Sequence, residues 1–285
     1  MSKNVLVTGG NGFIGSHVVE SLIKKKYKVT VFDLKKPKRK DIKFIKGSIL
    51  NKPLVNLALK KIDIVFHLAA MSDINKVKNI PTETIETNIL GTTNLLEASK
   101  KQKIKRFIFA SSIYSYGYSG NLYTTSKIAS ELIVKNYNLL FGLNYTIFRY
   151  STAYGPGNRS VDAISIFVKK CMKNQDITIF GDGLQKRNYI YVKDLAQGSM
   201  IGLQKKTKNK VITLASSKNI KITELAKIIL KLTNSKSKIK FNKKNKRIDD
   251  FTSSHNYNKI KNNLFGWRPK YNLKQGLIEY ISLDL

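Results

Sequence analysis

Apolar residues recur along the chain with two alternating periods. Short runs rich in β-branched residues, NVLVT at 4–8, KVTVFD at 28–33 and DIVFHLA at 63–69, predict strands. HVVESLIKK at 17–25 and a segment at 53–61 carry apolar positions three and four apart, the spacing of one helix face. The alternation continues through a helix over 83–100, a strand RFIFASS at 106–112, a helix over 125–141 and a strand LNYTIFRY at 143–150. These strands are apolar on both sides, so both faces of their sheet are covered. Strands separated by helices run parallel, and the expected fold class is α/β, a doubly wound parallel sheet.

From about residue 151 the rhythm changes and loops lengthen. ISIFVKKCMK at 164–173 predicts a helix, ITIF at 177–180 and YIYV at 189–192 predict strands, and 194–206 predicts a helix. VITLA at 211–215 follows as a strand and ITELAKIILKLT at 222–233 as a helix. The Lys/Asn/Ser-rich segment at 235–247 predicts an exposed loop with one short strand, before a last piece ending in GWRPKYNLKQGLIEYI. This half reads as a smaller C-terminal α/β lobe.

Composition changes this picture little. Of the 285 residues 42% are hydrophobic and 25% charged, the balance of a globular chain, and no run approaches the ~20 apolar residues of a membrane helix. Cys171 is the only cysteine and the histidines stand apart at 17, 67 and 255, so neither a disulfide nor a metal site is expected. The chain enters KNVLVTGG without a cleavable signal pattern, and the expected compartment is the cytoplasm. Charge matters more. There are 52 Lys+Arg against 18 Asp+Glu, a net charge of +34. Such a surface attracts polyanions. Only seven of the basic residues are arginine, the side chain that reads bases and clamps phosphates, so a dedicated nucleic-acid partner is not expected.

The glycines carry the first chemistry. In VLVTGGNGFIG, Gly9, Gly12 and Gly15 lie between a predicted strand and a predicted helix. The first permits a tight turn, the second lets a pyrophosphate approach the backbone, and the third lets helix and strand pack closely. The helix N-terminus then presents free N–H groups to the phosphates. Asp33 ends the next strand, where a carboxylate binds ribose hydroxyls and repels a 2′-phosphate. NAD is therefore expected over NADP, although Lys35, Lys36, Lys38 and Arg39 follow closely.

Further along, GNLYTTSKIASE at 120–131 holds Tyr123 and Lys127 four residues apart, on one face of a helix. In a chain this rich in Lys and Tyr such a pair also arises by chance on a solvated surface. Its context decides. TGGNGFIG, HLAA at 67–70, TNILGTTNLLEAS at 87–99, SSIYSYG at 111–117, YTTSK at 123–127, RYSTAYGPGNR at 149–159, FGDGLQKRNYIYVKDLA at 180–196 and GWRP at 266–269 occur in this order. Together they resemble the extended short-chain dehydrogenase/reductase family, in its nucleotide-sugar epimerase/dehydratase branch, and most closely the UDP-glucose 4-epimerase-like members. The resemblance runs from residue 4 to about 280. It implies a Rossmann cofactor domain over 1–151, to which the chain returns around 188–208, and a substrate-binding lobe from 152–187 and 209–285.

The resemblance also implies roles for particular residues. Tyr123 and Lys127 match the catalytic Tyr-x-x-x-Lys, and Ser112 the serine that hydrogen-bonds the reacting hydroxyl. A free tyrosine has a pKa of ~10, and lowering it by ~3 units takes roughly 4 kcal/mol, which the Lys127 ammonium and a positive nicotinamide would supply. Cofactor contacts fall to Gly9, Gly12, Phe13, Ile14, Gly15, Asp33, Ser48, Ile49, Leu68, Ala69, Ala70, Asn88, Tyr123, Lys127 and Tyr150, with Asn88 matching a family asparagine that supports the site and equally suited to a structural role. Substrate contacts fall to Ser112, Thr152 and two phosphate-binding arginines, Arg187 and Arg247. Departures limit this transfer. Ser48 stands where an aspartate commonly meets adenine, Thr152 replaces an asparagine, and Asn188 replaces an aspartate. The connection from Tyr116 to Tyr123 is short.

The implied activity is NAD-dependent epimerisation of a nucleotide-linked sugar, at C4, in surface polysaccharide synthesis. Ile113 and Tyr114 follow Ser112 where dehydratases place an acid, which argues against 4,6-dehydration. A nucleotide-sugar 4-ketoreductase and a basic, non-catalytic RNA-binding relative stand as alternatives. The resemblance further implies a homodimer formed through the helices at 83–100 and 125–141, and no membrane partner.

Overall fold

A computed structural model describes residues 3–37, 39–117, 121–158, 162–242 and 265–283. The strands are β1 Asn4–Thr8, β2 Lys28–Asp33, β3 Lys43–Lys46, β4 Ile64–His67, β5 Arg106–Ser112, β6 Tyr145–Tyr150, β7 Thr152–Tyr154, β8 Ile177–Phe180, β9 Lys186–Tyr191, β10 Lys210–Leu214, β11 Asn219–Lys221 and β12 Ile239–Asn242. The helices are α1 Phe13–Lys24, α2 Lys52–Ala58, α3 Ile74–Val77, α4 Pro81–Ile85, α5 Gly91–Lys101, α6 Leu122–Phe141, α7 Ala163–Met172, α8 Val192–Ser199, α9 Ile222–Thr233 and α10 Leu273–Leu283. A π-helical turn, Glu86–Leu90, joins α4 to α5.

Seven parallel strands form the central sheet in the order β10-β6-β5-β4-β1-β2-β3. Successive side chains of a strand point to opposite faces, and here both faces are buried. Val5 and Val7 of β1 join Val18, Val19 and Leu22 of α1 and Leu195 of α8 in one core. Leu6, Val65, Phe107 and Phe109 join Val55, Leu95, Leu96 and Val134 in the other. Each such side chain contributes about 1.5–3 kcal/mol by burial, which is why these strands read as apolar throughout.

The seventh strand corrects the sequence-based division. Residues 210–214 pair in parallel with β6, Lys210 against Thr146 and Leu214 against Tyr150, so they belong to the central sheet and not to the substrate lobe. A five-residue apolar strand fits either sheet; its partner is set by contacts more than 60 residues away in sequence, which periodicity does not carry.

The second lobe has its own core of Ile164, Phe167, Ile179, Leu225, Ile229 and Tyr280. β9 lies between β7, parallel, and β11, antiparallel, while β8 and β12 pair in parallel. The chain crosses between sheet and lobe at Ser151 and again near 216, and Asn188 ties the crossings together. Its Oδ1 accepts from Ser151 Oγ (2.7 Å) and Ser216 N (3.0 Å), and its Nδ2 donates to the Ser216 carbonyl (3.0 Å) and to Asn219 Oδ1 (2.9 Å). A carboxylate could not make the last two bonds, which accounts for the amide in place of the expected aspartate.

Candidate active site

A cleft of about 720 Å³ runs along the C-terminal ends of the sheet strands and up the face of the lobe. This is the crevice where open α/β sheets place their ligands.

One wall is backbone. Gly9 has φ of +68°, and a Cβ there would lie 2.7 Å from the Ala69 nitrogen. A Cβ on Gly15 would lie 2.0 Å from the Gly9 carbonyl oxygen. Only glycine fits either position. Helix α1 then begins at Phe13 with no side chain capping its N-terminus, so its first N–H groups remain available to an anion at the cleft. At the end of β2, Asp33 accepts hydrogen bonds from the Asn11 and Lys35 nitrogens (2.9 and 3.1 Å), which fix its carboxylate at the cleft edge. Phe13, Ile14, Ser48, Ile49, Leu68, Ala69, Ala70 and Tyr150 line the same space. A narrow glycine cradle, a helix N-terminus and a carboxylate on the same cleft wall fit a dinucleotide.

The floor is polar and buried. Asn121 caps α6 by accepting from the Thr124 nitrogen (2.8 Å), which starts the helix early enough to place Tyr123 in its first turn and Lys127 in its second. Both line the cleft with Ser112, at the end of β5. The Lys127 ammonium is 4% exposed, donates to the Ala110 carbonyl (2.8 Å), and lies 5.9 Å from the centre of the Tyr123 ring. Burial pulls Lys127 down to about 8, with Glu131 opposing. Tyr123 keeps some surface open to the cleft, yet the protein packed around it pushes its phenol up to about 12, against a hydrogen bond with Ser112. Burial thus favours the neutral phenol in the protein alone, and the phenolate expected from the sequence counted on a positive nicotinamide as well as Lys127.

Of the two roles open to Asn88, its contacts fit the structural one. The family pattern places it among cofactor contacts, but it is 2% exposed and does not line the cleft. Its Oδ1 accepts from the Met71 nitrogen (2.8 Å), and its Nδ2 donates to the Met71 carbonyl and Ser126 Oγ (both 2.9 Å). It fastens the loop after β4 to α6 from behind. His67 does similar work below the glycine turn. Thr92 Oγ1 donates to the Asn88 carbonyl (2.5 Å), so it accepts from His67 Nε2 (2.9 Å), and His67 Nδ1 in turn accepts from Thr8 Oγ1 (2.8 Å). Burial, aided by the Lys127 charge, depresses this imidazole to about 3 and keeps it neutral.

The opposite wall belongs to the lobe. Thr152 and Arg187 line it, as the sequence suggested, and Arg247 lies outside the described residues. Sequence reasoning missed Tyr114, Asn158, Phe180 and Tyr189 as lining residues. All four fall within motifs that carried the resemblance, but nothing in their type or spacing marks them as facing a ligand.

Fold and cleft together define a dinucleotide-dependent enzyme of the doubly wound α/β class. Residues 5–215 match the model of the NAD dependent epimerase/dehydratase family. The chain is 34% identical to a Methanocaldococcus jannaschii protein provisionally named as a UDP-glucose 4-epimerase, over 98% of this chain and 97% of that one. It is 35% identical to a UDP-N-acetyl-alpha-D-glucosaminuronate decarboxylase of Bacillus cytotoxicus, over 84% of this chain and 83% of the relative. Among solved structures it is similar to the Thermotoga maritima UDP-glucose 4-epimerase with UDP-glucose, with a TM-score of 0.88 and 29% identity, covering 98% and 97% of the two chains. The chain belongs to the NAD-dependent epimerase/dehydratase family, whose cofactor the glycine cradle and Asp33 fit. Among the described residues no helix is long and apolar enough to cross a membrane.

Proposed function

We propose that this protein epimerises a nucleotide-linked sugar at C4, with NAD held in the cleft as the acceptor and returner of a hydride. The observation that carries the reading is the meeting of Ser112, Tyr123 and Lys127 at the floor between the glycine cradle and the arginine-bearing wall. Gly9, Gly12, Gly15 and Asp33 would hold the cofactor, and the cationic ring it brings lowers the Tyr123 phenol toward its working range. Arg187 binds the substrate diphosphate with a permanently charged, planar group. Ser112 hydrogen-bonds the hydroxyl at C4 while Tyr123 takes its proton, leaving a 4-keto sugar as hydride departs. With NAD bound, the cofactor would supply the hydride acceptor and donor, and Tyr123 would return the proton to the sugar after it turns in the site. Lys127 holds the strand end and supplies positive charge beside the phenol. Decarboxylation and dehydration occur among the relatives, but Ile113 and Tyr114 offer no acid beside Ser112 for water elimination.

We further infer a cytoplasmic homodimer through α5 with the π-helical turn before it and α6, where Leu90, Leu132, Leu139 and Leu140 leave apolar surface exposed. The test of function is a panel of UDP-, CDP-, GDP- and dTDP-sugars incubated with the protein alone and followed by NMR. An epimer forms without added reductant. Reduction of a 4-keto sugar with stoichiometric loss of NADH or NADPH absorbance, and no epimer, overturns the assignment in favour of the ketoreductase.

A further inference from the structure

Helix α6 presents three polar side chains at four-residue intervals on its buried face: Tyr123, Lys127 and Glu131. Each meets a consecutive residue at the end of β5. Tyr123 hydrogen-bonds Ser112, Lys127 donates to the Ala110 carbonyl (2.8 Å), and Glu131 Oε1 accepts from Ser111 Oγ (2.5 Å). The first two belong to the proposed chemistry and the third has no part in it. Yet Glu131 is 2% exposed, and a carboxylate so buried is costly to retain unless it is paired.

Its pairing is extensive. Arg149 of β6 binds it through two parallel hydrogen bonds, Nε to Oε1 (2.9 Å) and a terminal nitrogen to Oε2 (2.7 Å). The Arg149 guanidinium lies 4.4 Å from the centre of the Tyr116 ring, and the Tyr116 hydroxyl bonds Thr213 Oγ1 (2.5 Å) of β10. Ser111 Oγ also lies 3.1 Å from Ser115 Oγ in the turn after β5. The carboxylate thus joins β5, β6 and α6 directly behind the serine and lysine of the site.

We propose that Glu131 is a positioning residue for the site: it locks the 110–112 strand end onto α6 and supplies the negative charge that keeps Lys127 protonated. This rests on the reading of Tyr123 and Lys127 as the acid/base pair. Among the described residues around Lys127, Glu131 is the carboxylate that opposes burial there. Tyr123 shares its helix, His67 of β4 is neutral, Arg149 of β6 is positive, and Tyr116 sits over Arg149. On the helices packed against α6, Glu83 and Glu86 are exposed, and Glu97 is engaged with Lys100 and Tyr137. Removing the Glu131 charge takes away the group that opposes burial at Lys127, which favours loss of the lysine proton.

The test is Glu131→Gln in the purified protein with its cofactor, read two ways. In 13C-lysine NMR a buried Lys127 titrates apart from surface lysines near the ordinary ~10.4, and Lys127→Ala identifies its signal. The variant should titrate lower than wild type by at least about half a pH unit. In turnover, kcat should fall about 10- to 100-fold with KM for the nucleotide sugar within about threefold, the signature of a group acting on the chemical step. Should the single variant not fold, Glu131→Asp keeps the charge but shortens its reach to Ser111 and Arg149: Lys127 should then titrate as in wild type while kcat falls, and a wild-type kcat would overturn the proposal. A Lys127 titration unchanged from wild type in folded Glu131→Gln overturns the proposal. A shifted titration in a protein that turns over no sugar leaves Glu131 as the clamp and instead refutes the epimerase reading.

Discussion

The two walls of the cleft are made of different materials. On the cofactor side the ligand meets backbone: a left-handed Gly9, a close-packed Gly15 and the bare N-terminus of α1. On the lobe side it meets side chains, Arg187, Phe180 and Tyr189 among them, carried by strands that pair across more than 30 residues of chain. A wall of backbone admits little substitution, because the atoms that would clash cannot move aside. A wall of side chains can be rebuilt one residue at a time. This difference accounts for relatives that share the family and its cofactor while acting on different sugars with different outcomes.

The contrast is broken most severely at Gly15. Gly15→Ala places a methyl group 2.0 Å from the Gly9 oxygen, and because that oxygen is backbone the turn itself must shift. The variant should lose bound NAD altogether, as assayed on nucleotide released by denaturation, and should unfold at lower temperature by the ~1–3 kcal/mol typical of overpacking. Retention of stoichiometric NAD would show that the cradle is looser than the backbone wall requires. On the facing wall, Arg187→Met should leave NAD in place and raise KM for the nucleotide sugar about 10- to 100-fold, the scale of one charged hydrogen-bonding group. Here the informative quantity is the ratio of the two effects on cofactor and substrate.

The same contrast explains what the sequence disclosed. Glycines at fixed spacing after an apolar strand describe a backbone shape directly, so the cofactor wall was legible before any fold was known. Tyr123, Lys127 and Ser112 were legible through the ordered motifs that carry the resemblance, since the four-residue spacing by itself also arises by chance on a surface helix. The lobe wall was legible only at Thr152 and Arg187, because Phe180 and Tyr189 reach the cleft through pairing with β12, β7 and β11. The strand at 210–214 was misplaced for the same reason. Asn88 was legible as a site asparagine, but not which of its two roles it takes, because Met71 and Ser126, which occupy its amide, come from other parts of the chain. Glu131 carried no signal that separates it from a surface carboxylate, since its value lies in Arg149 and Ser111, which come from other strands.

A smaller effect tests how the backbone wall is held from behind. His67 links Thr8 beneath the glycine turn to Thr92 of α5, and it is depressed to about 3 in the fold against an ordinary value of 6.5. Between these values the unfolded chain binds a proton that the folded chain refuses. Its contribution is therefore complete above pH 6.5 and is lost as pH falls toward 3, by up to about 1.4 kcal/mol per pH unit. Urea unfolding of wild type and His67→Gln at pH 7 and pH 5 should bring the two closer by about 2 kcal/mol at the lower pH. Parallel curves would mean that His67 is not the buried neutral link described.

The central claim is that hydride leaves and returns at one carbon while Tyr123 carries the proton. Its most direct measurement uses the nucleotide-sugar panel deuterated at C4, incubated without added reductant. The label should remain at C4 in the inverted product. Tyr123→Phe should retain its NAD but turn over about 10²- to 10⁴-fold more slowly, the range for losing a general acid/base. Loss of the label to solvent, or turnover of the phenylalanine variant within twofold of wild type, would contradict the account.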